Sequence, residues 1–466
     1  MDDLLKNRDL LKKYDIPADD YTDYPHKRNW SESMGAEEYR QALKKCFSDK
    51  NHAPSLLYVH VPFCPKLCFY CLCHKEITSD YSTILDHFDN YLSLEIKMLH
   101  HFFEENSLRP NFKEIFIGGG SPTMLKENEF DRLIGLLRLF CDIPKLNRFC
   151  IEIDPRTCSP DRLRYYHRKG VTTISIGVQD LDEKVQKAVN RVQPAEMIEQ
   201  LLAPDIRKMF NSVNFDFLVG LPLQTEASIQ KTMEKTIALS PDRISLCHFN
   251  YTTQYYPHME KLKDLIPDFF ERKRIFAKAV EILIHNGYVR TGFEHFAKPA
   301  DIVARSVNDN KATYTSLGVI SGECQNVVAA GRSGHGIIGN DYLFQNYYEQ
   351  ERYADALSKN KFPIYRGIKL NEDDMLRRDI IKRLRTYFVL EIAPIQNRIS
   401  LPFRDYFRRE FEMLPVFAKD GLVILADDKI TITETGKYFA SLIAGIFDRY
   451  LRPSIASQIT DLNRHG

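Results

Sequence analysis

The segment YVHVPFCPKLCFYCLC, Tyr58 to Cys73, places four of the chain's ten cysteines within ten positions, directly behind a strand-like run. Cys64, Cys68 and Cys71 follow the spacing C-x3-C-x2-C, with an aromatic residue, Tyr70, before the third. Three thiolates on one tight loop suit a [4Fe-4S] cubane, because soft sulfur ligands favour iron–sulfur clusters and the short spacing lets one loop wrap the cube. Such a loop holds three irons. The fourth is then open to an exogenous chelate, and an open position is what separates a catalytic metal site from a structural one. Structural zinc is the competing reading, with Cys73 and His74 near enough to complete a tetrahedral set. Zinc sites usually pair two C-x2-C knuckles, and the sequence has no second one.

Further residues of chemical interest fall behind later strand-like runs. Gly118, Gly119 and Gly120 precede Ser121, Pro122 and Thr123, and backbone without side chains at a strand end can approach a ligand closely. Glu152 and Asp154 alternate along CIEIDP and so share a face, which is unusual in an apolar run unless that face is a polar cavity. Gln179 and Asp180 end SIGVQD, Asp216 sits inside NFDFLVG, and Arg191 in VNRVQ has the charge to meet one of these acids. Each alone reads as a cap or a satisfied buried polar group. Their shared position on successive strand ends argues for one site.

The elements that must position them follow from periodicity. From Leu56 to about Tyr288, the runs LLYVHV, EIFIGG, RFCIEID, TISIGV, VNFDFLVG and RISLCHF are each followed by a helical pattern. Six strand-then-helix units imply a parallel sheet with right-handed crossovers, and continuous apolar runs imply strands buried on both faces. The expected fold is α/β, an incomplete (β/α)6 TIM-like barrel whose site lies at the C-terminal strand ends. Four segments are expected: 1–50, helical, a lid over substrate; 51–300, the barrel; 301–370, a connecting segment whose AAGRSGHGIIGN reads as loop; and 371–466, mainly helical with a winged-helix-like hairpin at GLVILADDKITITETG.

Composition bounds the partners. With 64 basic and 63 acidic residues the chain offers no basic excess for nucleic acid or an anionic membrane, and no apolar run of eighteen residues predicts a transmembrane helix. The start, MDDLLKNRDLLKKYD, lacks the apolar core of a signal peptide, so a cytoplasmic location and reduced thiols are expected. The remaining cysteines, Cys46, Cys141, Cys150, Cys158, Cys247 and Cys324, read as small buried residues.

The cysteine spacing with its aromatic residue resembles radical S-adenosylmethionine enzymes. The wider text resembles the oxygen-independent coproporphyrinogen III oxidases over almost its full length, through YTDYP, LYVHVPFCPKLCFYCLCHK, GGGSPT, IEIDPR, GVQD, VNR, GLP, PDRIS, EHFAKP, DDMLRRDIIKRL and AKDGLV. The resemblance implies a [4Fe-4S] cluster on Cys64, Cys68 and Cys71, with S-adenosylmethionine chelating the open iron and cleaved to the 5′-deoxyadenosyl radical. It implies two S-adenosylmethionine molecules, the first at Tyr58, Tyr70, Gly119, Glu152 and Thr252, the second at Gly120, Ser121, Gln179, Arg191 and Asp216. Arg332 and His335 would border the second. It further implies a tetrapyrrole substrate whose propionates become vinyl groups in haem biosynthesis, a low-potential electron donor and an electron acceptor; the expected state is a monomer.

The text also departs from the family. Asp20 stands where an arginine able to neutralise a propionate is usual, Leu72 and His74 replace the usual residues beside the cluster, and Arg332 and His335 lie in a loop that is usually apolar. These charges motivate a second expectation: a related radical enzyme, methyltransferase, cyclopropanase or haem-modifying, that uses one S-adenosylmethionine as alkyl donor, with Arg332 holding a carboxylate and His335 moving protons. A haem carrier, or a regulator acting through the C-terminal hairpin, is the non-catalytic alternative.

Overall fold

The computed structural model describes residues 8–16, 21–315 and 317–465; Asp20 lies outside them. Six strands, Ser55–Val61 (β1), Phe112–Gly119 (β2), Arg148–Ile153 (β3), Thr173–Gln179 (β4), Ser212–Val219 (β5) and Arg243–His248 (β6), pair in parallel in chain order. Helices Ser93–Glu105 (α1), Glu127–Leu137 (α2), Pro160–Arg168 (α3), Glu226–Leu239 (α4) and Phe269–His285 (α5) stand between or after them. Their starts carry local signals: the Ser159 side chain caps α3, Thr225 and Ser228 form a capping box on α4, and Asp268 caps α5.

The strands are not apolar on both faces as their sequence suggests. Ile151 and Ile153, Ile174 and Ile176, Phe215 and Phe217, and Ile244 and Leu246 are buried in the core beneath the helices. The alternate positions Arg148, Glu152, Ser175, Asn214, Asp216, Arg243 and Ser245 line a cavity of about 200 Å³ on the other face. Side chains alternate with period two, so one face of each strand builds the core and the other a polar lumen.

Residues 301–370 are more than a connector. Asn326–Ala330 (β8) pairs in parallel with the free edge of β1, and His335–Ile338 (β9), Tyr342–Asn346 (β10) and Ile364–Lys369 (β11) extend that edge in antiparallel order. At the other end His295–Ala297 (β7) pairs antiparallel with β6, and with Val289–Arg290 the sheet reaches twelve strands. The glycine-rich text expected as loop is the β8–β9 hairpin. Gly331, with φ +100°, makes its turn possible, since a Cβ there would lie 2.3 Å from the carbonyl oxygen of His60. Glu95 on α1 holds this turn from behind, accepting from Gly331 N at 2.7 Å, from Asn346 Nδ2 at 2.6 Å and from the Tyr353 hydroxyl. Burial raises its carboxyl to about 7 against the pull of those bonds.

The C-terminal region packs a second core of helices around a three-stranded sheet of Val389–Glu391, Lys429–Ile432 and Val423–Leu425; the last two are the expected hairpin. Leu11, Tyr14, Tyr21 and Tyr24 from the N-terminus are buried in this core, with Tyr14 donating to Asp420 Oδ2 at 2.5 Å and Tyr21 to Asp448 Oδ2 at 3.3 Å. Helix Glu372–Thr386 (α6), capped by Asn371, links the two ends of the sheet. Arg378 Nη2 donates to Asn340 Oδ1 at 2.7 Å beside β9, and the Arg385 carbonyl accepts from Phe293 N at 2.8 Å beside β7.

Candidate active site

The cysteine loop leaves β1 at Val61 and is tied down on both sides. Phe63–Cys64 pairs in parallel with Glu76–Ile77, Phe69 N donates to Val189 O at 3.0 Å, and Asn190 Nδ2 donates to Leu67 O at 2.8 Å. The Tyr256 hydroxyl donates to Leu72 O at 2.7 Å, and Lys75 Nζ donates to the carbonyls of Cys71 and Cys73 at 2.9 and 3.1 Å. Cys68 is buried, Cys64 and Cys71 are half-buried and Cys73 is exposed; all are free thiols.

Two guanidiniums converge on this loop. Arg156 Nη2 lies 3.6 Å and Arg191 Nη1 3.7 Å from Cys68 Sγ. Asp154 Oδ2 joins them at 2.7 and 3.3 Å. Burial works against ionisation of Asp154, yet the charges of Arg191 and Arg156 hold its carboxyl below the usual range. Arg191 is itself fixed by donation to Gly177 O at 2.9 Å and to Gln193 Oε1 at 3.0 Å. Burial pushes the Cys64 thiol up to about 11, whereas a hydrogen bond from Cys73 and the positive charge of Lys75 outweigh burial and draw Cys71 down to about 6.

These residues fit an iron–sulfur cluster. Among the described residues no three His, Cys, Asp or Glu side chains close on one point, which is what a single tetrahedral ion demands. A cubane makes a different demand, a separate iron under each thiolate. Thiolates and cluster carry negative charge, and two guanidiniums facing Cys68 in a buried setting are its natural complement. The glycine run lies close by: Ser121 Oγ is 3.6 Å from Cys64 Sγ and donates to Asp154 Oδ2 at 3.3 Å. A Cβ on Gly120 would stand 2.7 Å from Phe63 O, so only glycine lets the two loops approach this closely.

The expected residues separate into groups. Glu152 accepts from Gly119 N at 2.9 Å, and burial raises its carboxyl to about 8. It lines the polar lumen with Asp216, which accepts from Ser175 Oγ at 2.6 Å and Asn214 Nδ2 at 2.7 Å. Glu152 and Asp154, expected on one face, therefore diverge, because Asp154 lies beyond the end of β3 and caps the turn Pro155–Thr157. Tyr58 bonds His60 Nδ1 at 2.9 Å and sets its ring edge-on to His335 at 5.9 Å. Burial and the nearby Lys27 lower His335 to about 4. Tyr70 is buried beside Arg191 and Cys68. Gln179 has φ +64° and turns its amide toward Gly177. Thr252 lies half-buried on the loop after β6, its carbonyl accepting from Tyr256 N at 3.2 Å.

Among the described residues Arg332 keeps one buried nitrogen, Nε, without a hydrogen-bond partner. It is buried and donates to Glu76 Oε2 at 2.6 Å, pinning the β8–β9 turn to the cysteine loop. Asp180 accepts from Gln224, Thr232 and Asp182 N, a cap for the following segment. Sequence reasoning missed Arg156, Gln193 and Tyr256 as supports of the loop. Arg156 had a usable signal, a cation two residues after Asp154 in EIDPR.

Comparison with known proteins covers nearly all of the chain. Residues 58–236 match the Radical SAM superfamily. The oxygen-independent coproporphyrinogen III oxidase of Escherichia coli is 33% identical over 96% of both chains, and that of Pseudomonas aeruginosa is 32% identical over 98% of both. The chain belongs to this family. The solved Escherichia coli coproporphyrinogen III oxidase, described as a radical SAM enzyme, superposes with a TM-score of 0.84 at 32% identity, covering 94% of this chain and 100% of that one. Membership makes the chain a radical S-adenosylmethionine oxidoreductase and implies the [4Fe-4S] cluster and S-adenosylmethionine that the cysteine loop fits. No helix among the described residues is long and apolar enough to cross a membrane.

Proposed function

We propose that this protein carries out the oxygen-independent oxidative decarboxylation of coproporphyrinogen III to protoporphyrinogen IX in haem biosynthesis. The observation that carries the reading is similarity sustained over 96% of both chains, lumen, N-terminal segment and C-terminal core included. When bound, the cluster and S-adenosylmethionine supply one-electron chemistry able to take a hydrogen atom from the β-carbon of a propionate. Loss of that atom, carbon dioxide and one electron leaves a vinyl group, and an external acceptor takes the electron.

The protein's part is positioning and electrostatics. Cys64, Cys68 and Cys71 hold the cluster, while Arg156 and Arg191 offset its charge and ionised Asp154 keeps both guanidiniums in place. Tyr70 excludes water from the buried side of the loop. Glu152 and Asp216 present carboxyl oxygens to the lumen, where amino and ribose hydroxyl groups of S-adenosylmethionine would donate. We assign one molecule to Tyr58, Tyr70, Gly119, Glu152 and Thr252 and a second to Gly120, Ser121, Gln179, Arg191 and Asp216, with His335 at its border. A cytoplasmic monomer served by a low-potential donor completes the reading. Arg332, whose charge motivated the alkyl-transfer alternative, is bridged to Glu76 at 2.6 Å, and the test below separates the two reactions.

The test is mass spectrometry of an anaerobic reaction with reconstituted protein, reductant, S-adenosylmethionine and coproporphyrinogen III. Loss of two carbon dioxide units with formation of 5′-deoxyadenosine is expected. Cleavage of S-adenosylmethionine with the porphyrinogen intact would overturn the substrate, and methylated product with S-adenosylhomocysteine would overturn the reaction class.

A further inference from the structure

Helix α6 roofs a cavity of about 530 Å³ against the β8–β9 side of the lumen. The opposite wall holds Cys324, Val327 and Ile337, which pack with Tyr58, Phe116 and Cys150 on the inner face of the sheet. The cavity therefore shares a wall with the lumen.

The roof is cationic. Arg378, Lys382 and Thr386 recur at a spacing of four on α6, one stripe of the helix, and all three line the cavity. Arg378 is 2% exposed; its Nη2 donates to Asn340, while Nε and Nη1 are buried without a partner among the described residues. Thr386 Oγ1 is buried and equally unpartnered. Among the described residues Lys382 reaches Thr313 Oγ1, at 3.5 Å, with the carboxylates of Asp379 and Asp23 in its field and Asp23 itself bridged to Lys27 at 3.3 Å. At the rim Asp379, which also acts on Arg378 and Lys382, bridges Arg398 at 2.6 Å, and Arg383 donates to the neutral Asn310 Oδ1 at 3.4 Å. A guanidinium buried with two unused donors costs several kcal/mol unless an anion meets it. A planar carboxylate matches its fork, and the ammonium of Lys382 adds a point charge one turn away.

We propose that this cavity is a carboxylate-binding pocket that takes one propionate arm of the tetracarboxylate substrate, with Arg378 and Lys382 as its charge partners and Thr386 as a third donor. The assignment rests on the substrate reading above and places a cationic partner in α6, where the N-terminal text has an acid, Asp20, in place of a usual arginine.

The test compares wild type with Arg378→Gln, Lys382→Met and the conservative Arg378→Lys. Coproporphyrin III, the oxidised and fluorescent form of the substrate, is titrated anaerobically into reconstituted protein. Cluster iron, thermal stability and substrate-independent cleavage of S-adenosylmethionine are measured in parallel. Arg378→Gln and Lys382→Met are each expected to weaken binding about tenfold, which is about 1.4 kcal/mol, and to raise KM by a similar factor with kcat and cluster content retained. Arg378→Lys should restore part of the loss, and the tetramethyl ester of coproporphyrin should bind all four proteins alike.

Turnover of coproporphyrinogen by the wild type with unchanged KM and Kd in both charge-removing variants would overturn the pocket and leave the function standing. No turnover by the wild type would overturn the function and the pocket with it. Inorganic phosphate that stabilises wild type but not the variants, with coproporphyrin binding unchanged, would make this a site for another anion and overturn the assignment. Should Arg378→Gln not fold, Lys382→Met decides alone, since its side chain is only half-buried.

Discussion

At the scale of single residues, the thiols differ by their surroundings more than by their spacing. Cys68 faces two guanidiniums, whereas Cys73 is exposed and bonded only along its own loop. Cys68→Ala should lose the cluster and all cleavage of S-adenosylmethionine, while Cys73→Ala should keep its iron; iron assay and the visible absorption of the cluster check both, and equal loss would show that the ligand set is wrong. Glu95 offers a pH test away from the thiols. Its folded value, about 7, lies above the ordinary 4.5, so between these values the folded chain holds a proton that the unfolded chain has released. That contribution to stability is complete below about pH 4.5 and is lost as pH rises through about 7, worth up to about 3 kcal/mol. Urea midpoints should fall from pH 5 to pH 8 more steeply in wild type than in Glu95→Gln; parallel slopes would show that Glu95 does not titrate in this window. The cysteines, the glycine run, Glu152 and Asp216 were legible in the sequence because their types are rare in their local pattern. Arg156 and Tyr256 were not, since an arginine after a strand and a tyrosine in a loop are common and only their approach to Cys68 and Leu72 marks them.

At the scale of elements, six strands were readable from apolar runs, but beyond Glu152 and Asp216 their polar alternate positions did not stand out, because β-branched and aromatic residues dominate each run. The β8–β9 hairpin was read as loop for a related reason. Glycine and serine at its turn mask a strand pair whose partner, β1, lies some 270 residues earlier, and such long-range pairing leaves no local trace. Gly331→Ala tests the turn: a Cβ 2.3 Å from His60 O at φ +100° cannot be placed without backbone movement, and a loss of order 1–3 kcal/mol is expected by thermal melting. Glu76→Gln tests its link to the cysteine loop. Glu76 is partly exposed, so about 1 kcal/mol of stability should go, but the loop should become more open to protease between residues 64 and 80 and release cluster iron faster on dilution. Unchanged iron release would show that the Arg332 contact is incidental to the loop.

At the scale of the whole molecule, two cores share one chain in an interleaved order. The larger lies between sheet and helices, and the smaller gathers the last hundred residues around side chains from the first twenty-five. Composition gave no hint of this, because an N-terminal amphipathic helix announces an apolar face but not the surface that covers it. Removing residues 1–34 should strip Leu11, Tyr14, Tyr21 and Tyr24 from the C-terminal core, each worth about 1.5–3 kcal/mol in burial. That core should become protease-sensitive while the sheet core survives. A truncated protein whose C-terminal region resists protease as the full chain does would refute the interleaving.

The same interleaving sets a timetable during synthesis. Tyr14, Tyr21 and Tyr24 must wait for residues 376–459 to be made before they have anywhere to bury their rings. Strands β1 to β6 and the cysteine loop emerge well before α6, so a ribosome paused near residue 330 carries the metal-binding loop on a sheet whose lateral wall has not yet been built. Whatever machinery delivers iron and sulfide therefore meets an open cradle until α6 has been made.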